Sequence, residues 1–249
     1  MDILDEFINS AYAPRHIEQG SDEWEMMRAG RFTSSEIYKI MDCGKRPMTP
    51  EELAARPKKG KGSSTTLVPD PSQMSKDGIK YVRLKVWEVL TGRPKPPAYA
   101  YPLVYGKEQE PFAVEYFENL TGLKCESVGF QPWSDHAGGS PDRLIGENEG
   151  LEVKCPLSDE QIDYLMLTDR FDLKRNYPEY YWQCVSLMLF TNRKIWHFCT
   201  YDPRMQKEEH KLTHLILRWE EVEEDIELIP KAIEGAVKEK LKILNLLNQ

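Results

Sequence analysis

Apolar positions recur at helical spacing along much of this chain. Ile79, Val82, Val86, Trp87 and Leu90 fall on one side of a helix predicted over residues 75–90, which Thr91-Gly92 would end. Phe112, Ala113, Tyr116, Phe117 and Leu120 form the stripe of a second helix over about 106–121, closed by Gly122. A third, over about 178–189, is apolar nearly all round except at Gln183. That amide, if buried, needs partners: it reaches a functional site or caps a neighbouring backbone group. The acidic stretch 220–227 and the helix after Pro230 read as an amphipathic C-terminal element, open to core packing or subunit contact. Strands are predicted over 127–131 and 194–200.

Two helix starts stand close together near the N-terminus. Asp22-Glu23-Trp24-Glu25 can form a capping box, and Thr33-Ser34-Ser35-Glu36 a second one leading into 37–41. Arg28, Gly30 and Arg31 lie between them. A helix N-terminus with Arg28 and the Ser35 hydroxyl would make an anion pocket; the plain alternative is a well-capped helix with a solvent-facing Arg. Residues 44–77 are rich in Lys, Pro, Gly, Ser and Thr, which predicts a long flexible insertion with a short helix at 50–55. Lys58 to Ser64 superficially resembles a phosphate-binding loop but fails its pattern, with Ala55 and Gly62 at positions that need Gly and Ser or Thr.

The chemistry concentrates in a predicted β-hairpin. Ser140-Pro141-Asp142-Arg143-Leu144-Ile145 and Gly150-Leu151-Glu152-Val153-Lys154-Cys155-Pro156 flank a turn rich in Gly and Asn. Alternation puts Glu152 and Lys154 on one face, about 6.6 Å apart. A hairpin symmetric about Asn148 sets Asp142 opposite Lys154, on that same face. A slip of one residue would send Asp142 to the other face. Two carboxylates and an ammonium in one place suit metal-assisted phosphodiester cleavage. Asp142 and Glu152 would be ligands, with the Val153 carbonyl between them as a third. Lys154 would orient or deprotonate water, or stabilise charge; burial favours the base and the carboxylates oppose it. Glu110 is either a helix-start acid, stabilised by the dipole, or a further member of this site.

Composition narrows the context. The net charge of −8 and pI near 5.3 exclude a uniformly basic nucleic-acid coat, though not a local basic channel. No apolar run suffices for a membrane span, and the acidic start Met1 to Glu6 lacks a signal peptide's basic region. The five cysteines are scattered without a C-x-x-C pair, as expected for reduced thiols in a cytoplasmic protein and against a zinc site.

With Pro-Asp, a spacer and Glu-x-Lys in place, the chain resembles the PD-(D/E)xK nuclease superfamily. Its branch of phage-type recombination exonucleases, the lambda exonuclease and YqaJ-like viral recombinase family, is similar over further ordered segments. These are Trp24 to Glu36, Tyr105 to Glu110, Tyr180 to Gln183 and Tyr201-Asp202-Pro203-Arg204-Met205. The resemblance implies one nuclease domain with a central mixed β-sheet flanked by helices. It implies 5′-to-3′ digestion of linear duplex DNA to mononucleotides, leaving 3′ overhangs for recombination by strand annealing. Two Mg²⁺ ions per site are implied, with Mn²⁺ as a substitute. So are a homotrimeric ring, a single-strand annealing partner and a phage or prophage origin in a bacterial host. By position, Asp142, Glu152 and Val153 would hold metal and Lys154 would activate water. Glu110 and Gln183 would support them, and Arg28 and Ser35 would bind the 5′-phosphate. Asp135 is the nearest match to a further upstream acid. A restriction-like endonuclease and a non-catalytic DNA-end scaffold are the alternatives.

Overall fold

The computed structural model describes residues 17, 19–55, 66–96 and 101–248. The acidic start and the 58–64 segment lie outside them. In chain order come α1 (Asp22–Arg28), β1 (Phe32–Thr33), a 3₁₀ turn (Ser34–Glu36), α2 (Tyr38–Met41), β2 (Cys43–Pro47), α3 (Pro50–Ala54), β3 (Leu67–Met74), α4 (Lys76–Thr91) and α5 (Tyr101–Thr121). Then follow β4 (Cys125–Glu126), β5 (Gln131–Pro132), β6 (Ala137–Gly139), β7 (Arg143–Ile145), β8 (Glu149–Lys154), α6 (Glu160–Leu165), α7 (Arg170–Asn176) and α8 (Pro178–Thr191). The last are β9 (Ile195–Tyr201), α9 (Glu208–Lys211), β10 (Leu212–Arg218) and α10 (Trp219–Leu247).

The central sheet runs β10-β9-β8-β7-β4. Its β8–β9 pair is parallel and its other pairs are antiparallel, so the expected mixed sheet flanked by helices is what forms. Strand alternation gives it two covered faces. Leu144, Trp196 and Phe198 pack with Tyr181, Cys184 and Leu187 of α8, in a core that α10 completes. Leu151, Val153, Cys199 and Tyr201 pack on the other side against Ala113, Val114 and Phe117 of α5. Glu152 and Lys154 therefore project toward the α8 side. A smaller sheet, β1-β6-β5, lies beside α8 and leads the chain into Ser140.

Several sequence expectations change. Among the described residues of the 44–77 segment the expected short helix forms as α3, started by a Thr49/Glu52 capping box, but β2 and β3, which were not expected, pair as an antiparallel ribbon. Ser21, not Asp22, caps α1, accepting from Trp24 N. Thr33 makes no side-chain cap, and its hydroxyl lies 3.2 Å from the Tyr81 hydroxyl instead. Residues 127–130 are not a strand, because the chain there crosses from β4 in one sheet to β5 in the other. On α4, Trp87 and Leu90 are exposed while Lys85 and Glu88 are buried as an ion pair. On α5, Phe112 and Leu120 are exposed and Val114 is buried instead. The C-terminal element is one helix that passes through Pro230, and its stripe of Val222, Ile226, Ile229, Ile233 and Ala236 decides for core packing. All five cysteines are free, and no described helix is long and apolar enough to cross a membrane.

Gly150 has a steric reason to lack a side chain. A Cβ there would lie 2.3 Å from the Trp196 ring, which fills the space beneath β8. Gly150→Ala should cost about 1–3 kcal/mol through overpacking. A denaturant midpoint equal to that of the unmodified chain would show that Trp196 can move aside.

Candidate active site

The end of the β7–β8 ladder builds the site. Arg143 faces Leu151, Leu144 faces Gly150 and Ile145 faces Glu149, so the hairpin is centred on Glu147 rather than Asn148. Continued outward, this register sets Asp142 against Glu152, not Lys154. The displacement moves the partner by two positions, which preserves the face, so the predicted grouping survives the error. One step further the ladder would set Pro141 against Val153, but proline has no N–H to offer. The Pro141 carbonyl instead accepts from Gln19 Nε2 at 2.7 Å, and Val153 N donates to Asp142 Oδ2 at 2.7 Å. A strand residue directs its N–H and C=O to the same edge. The Val153 carbonyl is thus turned toward the edge where Asp142 sits.

Glu152 is fully buried. Its Oε1 accepts from Gln183 Nε2 at 2.6 Å and from Lys154 Nζ. Its Oε2 is buried with no hydrogen-bond partner. Burial first, and the Asp142 charge second, push the Glu152 carboxyl up to about 8, against the pull of Lys154. For Lys154 burial acts downward, but Glu152 and Asp142 outweigh it and hold the ammonium above its ordinary range. That favours a charged Lys154 over a neutral base wherever a carboxylate beside it is ionised. Its Nζ also lies 5.1 Å from the Tyr180 ring centre, over the ring.

Glu110 lies well inside α5, which removes the helix-start explanation for it. It pairs with Arg143 Nη1 at 2.7 Å, and Arg143 also donates to the Asp142 carbonyl. Burial and then the Asp142 charge raise the Glu110 carboxyl, and Arg143 opposes them. Arg143 has no role in the sequence reading, although it adjoins Asp142. Asp135 lies in the bend between β5 and β6, where its charge acts on His136.

Arg28 and Ser35 line a different cavity, of about 660 Å³, with Trp24, Lys85, Lys95 and Lys107. The Arg28 guanidinium sits 3.9 Å from the Trp24 ring centre. Trp24 Nε1 donates to Ser140 Oγ at 2.8 Å, two residues from Asp142. This bond ties the cavity to the carboxylate site. The three lysines were missed because they come from α4, α5 and the segment between them.

Among the described residues no three His, Cys, Asp or Glu side chains form a ready metal cluster. The donors on hand are Asp142, the unpartnered Glu152 oxygen and the Val153 carbonyl. They fit a hard cation that binds through one or two carboxylates and leaves positions for water and phosphate.

The YqaJ-like viral recombinase domain family matches residues 23–194. The fold is similar to the crystal structure of an alkaline exonuclease (LHK-Exo) from Laribacter hongkongensis, with TM-score 0.67 and 21% identity over 92% of this chain and 96% of that one. LHK-Exo in complex with dAMP matches with TM-score 0.66 and 22% identity over 91% and 96%. A phage related exonuclease from Haemophilus somnus 129PT matches with TM-score 0.61 and 13% identity over 87% and 96%. No curated protein matches the sequence.

Glu152 should leave a pH signature in the metal-free protein. Its folded-state value, about 8, exceeds its ordinary 4.5, so the folded state holds the proton more tightly. The stability this adds is present below 4.5 and is lost as pH rises through about 8. Glu152→Gln should flatten that decline, by at most about 1.4 kcal/mol per pH unit. Denaturation midpoints across this window, in EDTA, would check it; an unchanged slope would assign the pH dependence to another group.

Proposed function

The chain belongs to the YqaJ-like viral recombinase domain family, and from that premise we propose that it is a Mg²⁺-dependent 5′-to-3′ exonuclease of linear duplex DNA. It would release mononucleotides and leave 3′ single-stranded overhangs. The observation that carries this reading is the buried, unpartnered Glu152 oxygen on the strand that also presents Val153 to Asp142. The complex of LHK-Exo, a relative in fold, with a mononucleotide agrees with that product class.

Asp142, Glu152 and the Val153 carbonyl would hold Mg²⁺, with Mn²⁺ as a substitute. Bound there, the ion would polarise the scissile phosphate and acidify water. Two ions are the number the family resemblance implies, and Glu110, engaged by Arg143, leaves Asp142 and Glu152 as the side chains to hold them. Gln183 fixes one Glu152 oxygen and leaves the other free. Arg143 steadies the Asp142 backbone and neutralises Glu110. Lys154 places positive charge beside the carboxylates, where it would orient water and stabilise the phosphorane.

The Arg28 and Ser35 cavity would take the 5′-phosphate of the strand being cut. Charge-assisted hydrogen bonds from Arg28 would hold it, and Lys85, Lys95 and Lys107 add to the attraction. The Trp24–Ser140 bond sets the separation between that phosphate and Asp142, which fixes the step of cleavage. A homotrimeric ring would keep the enzyme on its duplex between cuts. A single-strand annealing protein would take up the exposed strand. Such an enzyme would act in the cytoplasm of a bacterial host carrying the phage.

A linear duplex labelled at the 5′ or the 3′ end, with Mg²⁺ or EDTA, beside a closed circular plasmid, tests this directly. The expected result is Mg²⁺-dependent release of 5′ label as mononucleotide with the circle intact. Nicking of the circle would replace the exonuclease by an endonuclease, and end binding without cleavage would leave a scaffold. Lys154→Ala should keep end binding and lower the cleavage rate by about 10²-fold or more; normal turnover would remove Lys154 from the chemistry. Arg28→Ala should reduce the preference for 5′-phosphorylated over 5′-hydroxyl ends by about tenfold; unchanged discrimination would sink the pocket assignment.

A further inference from the structure

We propose that Lys240, on the last helix, is a positioning residue for the 5′-end pocket: with Glu88 it grips the Gly30 backbone from both sides and so holds the helix that carries Trp24 and Arg28. The inference rests on the pocket reading above and extends it to residues far from it in sequence.

The buried stripe of α10 runs Val222, Ile226, Ile229, Ile233, Ala236 and then Lys240. The last position of an apolar register is thus an ammonium, and it is only 3% exposed. Burying it is costly unless hydrogen bonds compensate. Its Nζ donates to the Gly30 carbonyl at 2.9 Å and lies 3.3 Å from His136 Nδ1. From the other side Gly30 N donates to Glu88 Oε2 at 2.7 Å, and the same oxygen accepts from Lys85 Nζ at 2.9 Å. Both backbone polar groups of Gly30, which belong to the two peptide units that flank its Cα, are therefore taken by buried charges from α4 and α10.

Gly30 is a point where such a grip matters. It has φ +74, and a Cβ there would lie 2.8 Å from Val89 Cγ2. It follows α1 by two residues, so its position sets where α1 ends and where Arg28 points. His136, the other neighbour of Lys240, accepts from Phe32 N through its carbonyl at 2.7 Å and precedes β6, the strand that leads to Ser140 and Asp142. Lys240 thus touches both arms that the Trp24–Ser140 bond joins.

Charge points the same way. The charges acting on Lys240 are Lys85, Arg31 and Glu88, one acid against two bases. Burial first, then Lys85 and Arg31, bring the Lys240 ammonium down to about 8. Lys85 is also a wall of the Arg28 cavity, where Glu25, Glu36 and Glu88 face Arg28, Lys95 and Lys107. Glu36 is paired with Lys39, Glu25 with Arg28 at 3.9 Å and Glu88 with Lys85, which leaves Lys95 and Lys107 as the lining charges outside these pairs. A surplus of buried positive charge beneath this cavity is relieved by an anion within it.

The test compares kcat/KM for 5′-phosphorylated and 5′-hydroxyl ends of one linear duplex, with Mg²⁺, in the full chain. Lys240→Met should lower the phosphate-to-hydroxyl ratio about tenfold through KM, and Lys240→Arg should restore it. An unchanged ratio, an equal loss on both ends, or a loss that Arg does not restore would overturn the proposal. Should Lys240→Met not fold, as a melting curve would show, Lys240→Gln takes its place, since Gln is too short to reach Gly30, and is read by the same outcomes. Absence of any phosphate preference in the unmodified chain, or one indifferent to Arg28→Ala, would instead sink the pocket reading itself. A preference that depends on Arg28 but not on Lys240 would sink this inference alone.

Discussion

A carboxylate buried on the core-facing side of the central sheet sets the terms for everything around it. Glu152 sits between apolar neighbours, and its desolvation cost is far from met by one amide and one ammonium. The α8 helix must therefore turn Gln183 toward β8, in a segment that is otherwise apolar core. Lys154 must share the face of Glu152, which the two-residue period of a strand provides. The remaining oxygen stays without a partner. A polar atom left in that state is tolerated where something binds to it, and beside Asp142 the fitting occupant is a cation.

The second constraint is the proline before Asp142. A hairpin whose ladder continued past Arg143 would consume Val153's N–H and C=O in strand pairing. Pro141 cannot donate, and its carbonyl goes to Gln19. The ladder stops one residue short, and the Asp142 carboxylate takes the freed N–H. The Pro-Asp dipeptide is thus a device for ending a sheet pair at the point where the backbone must face a site. The turn residues could not reveal whether the hairpin centred on Glu147 or Asn148. Moving the centre by one moves each partner by two, so the face of Asp142 was safe from that uncertainty.

Other features were legible for reasons that can be named. The α8 helix and β9 were readable because length and apolar density left no other period. The grouping of Asp142, Glu152 and Lys154 followed from alternation alone. β10 was missed because it runs straight into α10, with no Gly or Pro between Leu212–Arg218 and Trp219–Leu247. Phe112 and Leu120 were assigned to the core on period, but a stripe says which residues share a side, not how much of that side is covered. Val114, next in sequence to Ala113, lies within the covered part. The strand expected at 127–131 failed because sheet membership is a property of partners, and the partners of β4 and β5 lie in different sheets.

Gln183, Glu152, Lys85 and Lys240 share one property: each is polar at a position whose register is apolar. The local pattern is broken where a site is built or supported. Gln183 stood out in the sequence because its helix is apolar on every side. Lys85 and Lys240 did not, since a lysine at the edge of a stripe normally carries its ammonium out to water along the surface. What traps them is distance in sequence. Gly30, Glu88 and Lys240 come from three elements that meet only once α10 has crossed the molecule and packed on α4. A pattern along the chain can show that a charge interrupts a stripe. Only the packing of remote elements decides whether that charge escapes or is enclosed, and enclosure is what turns an ordinary lysine into a brace for a pocket formed by the other end of the chain.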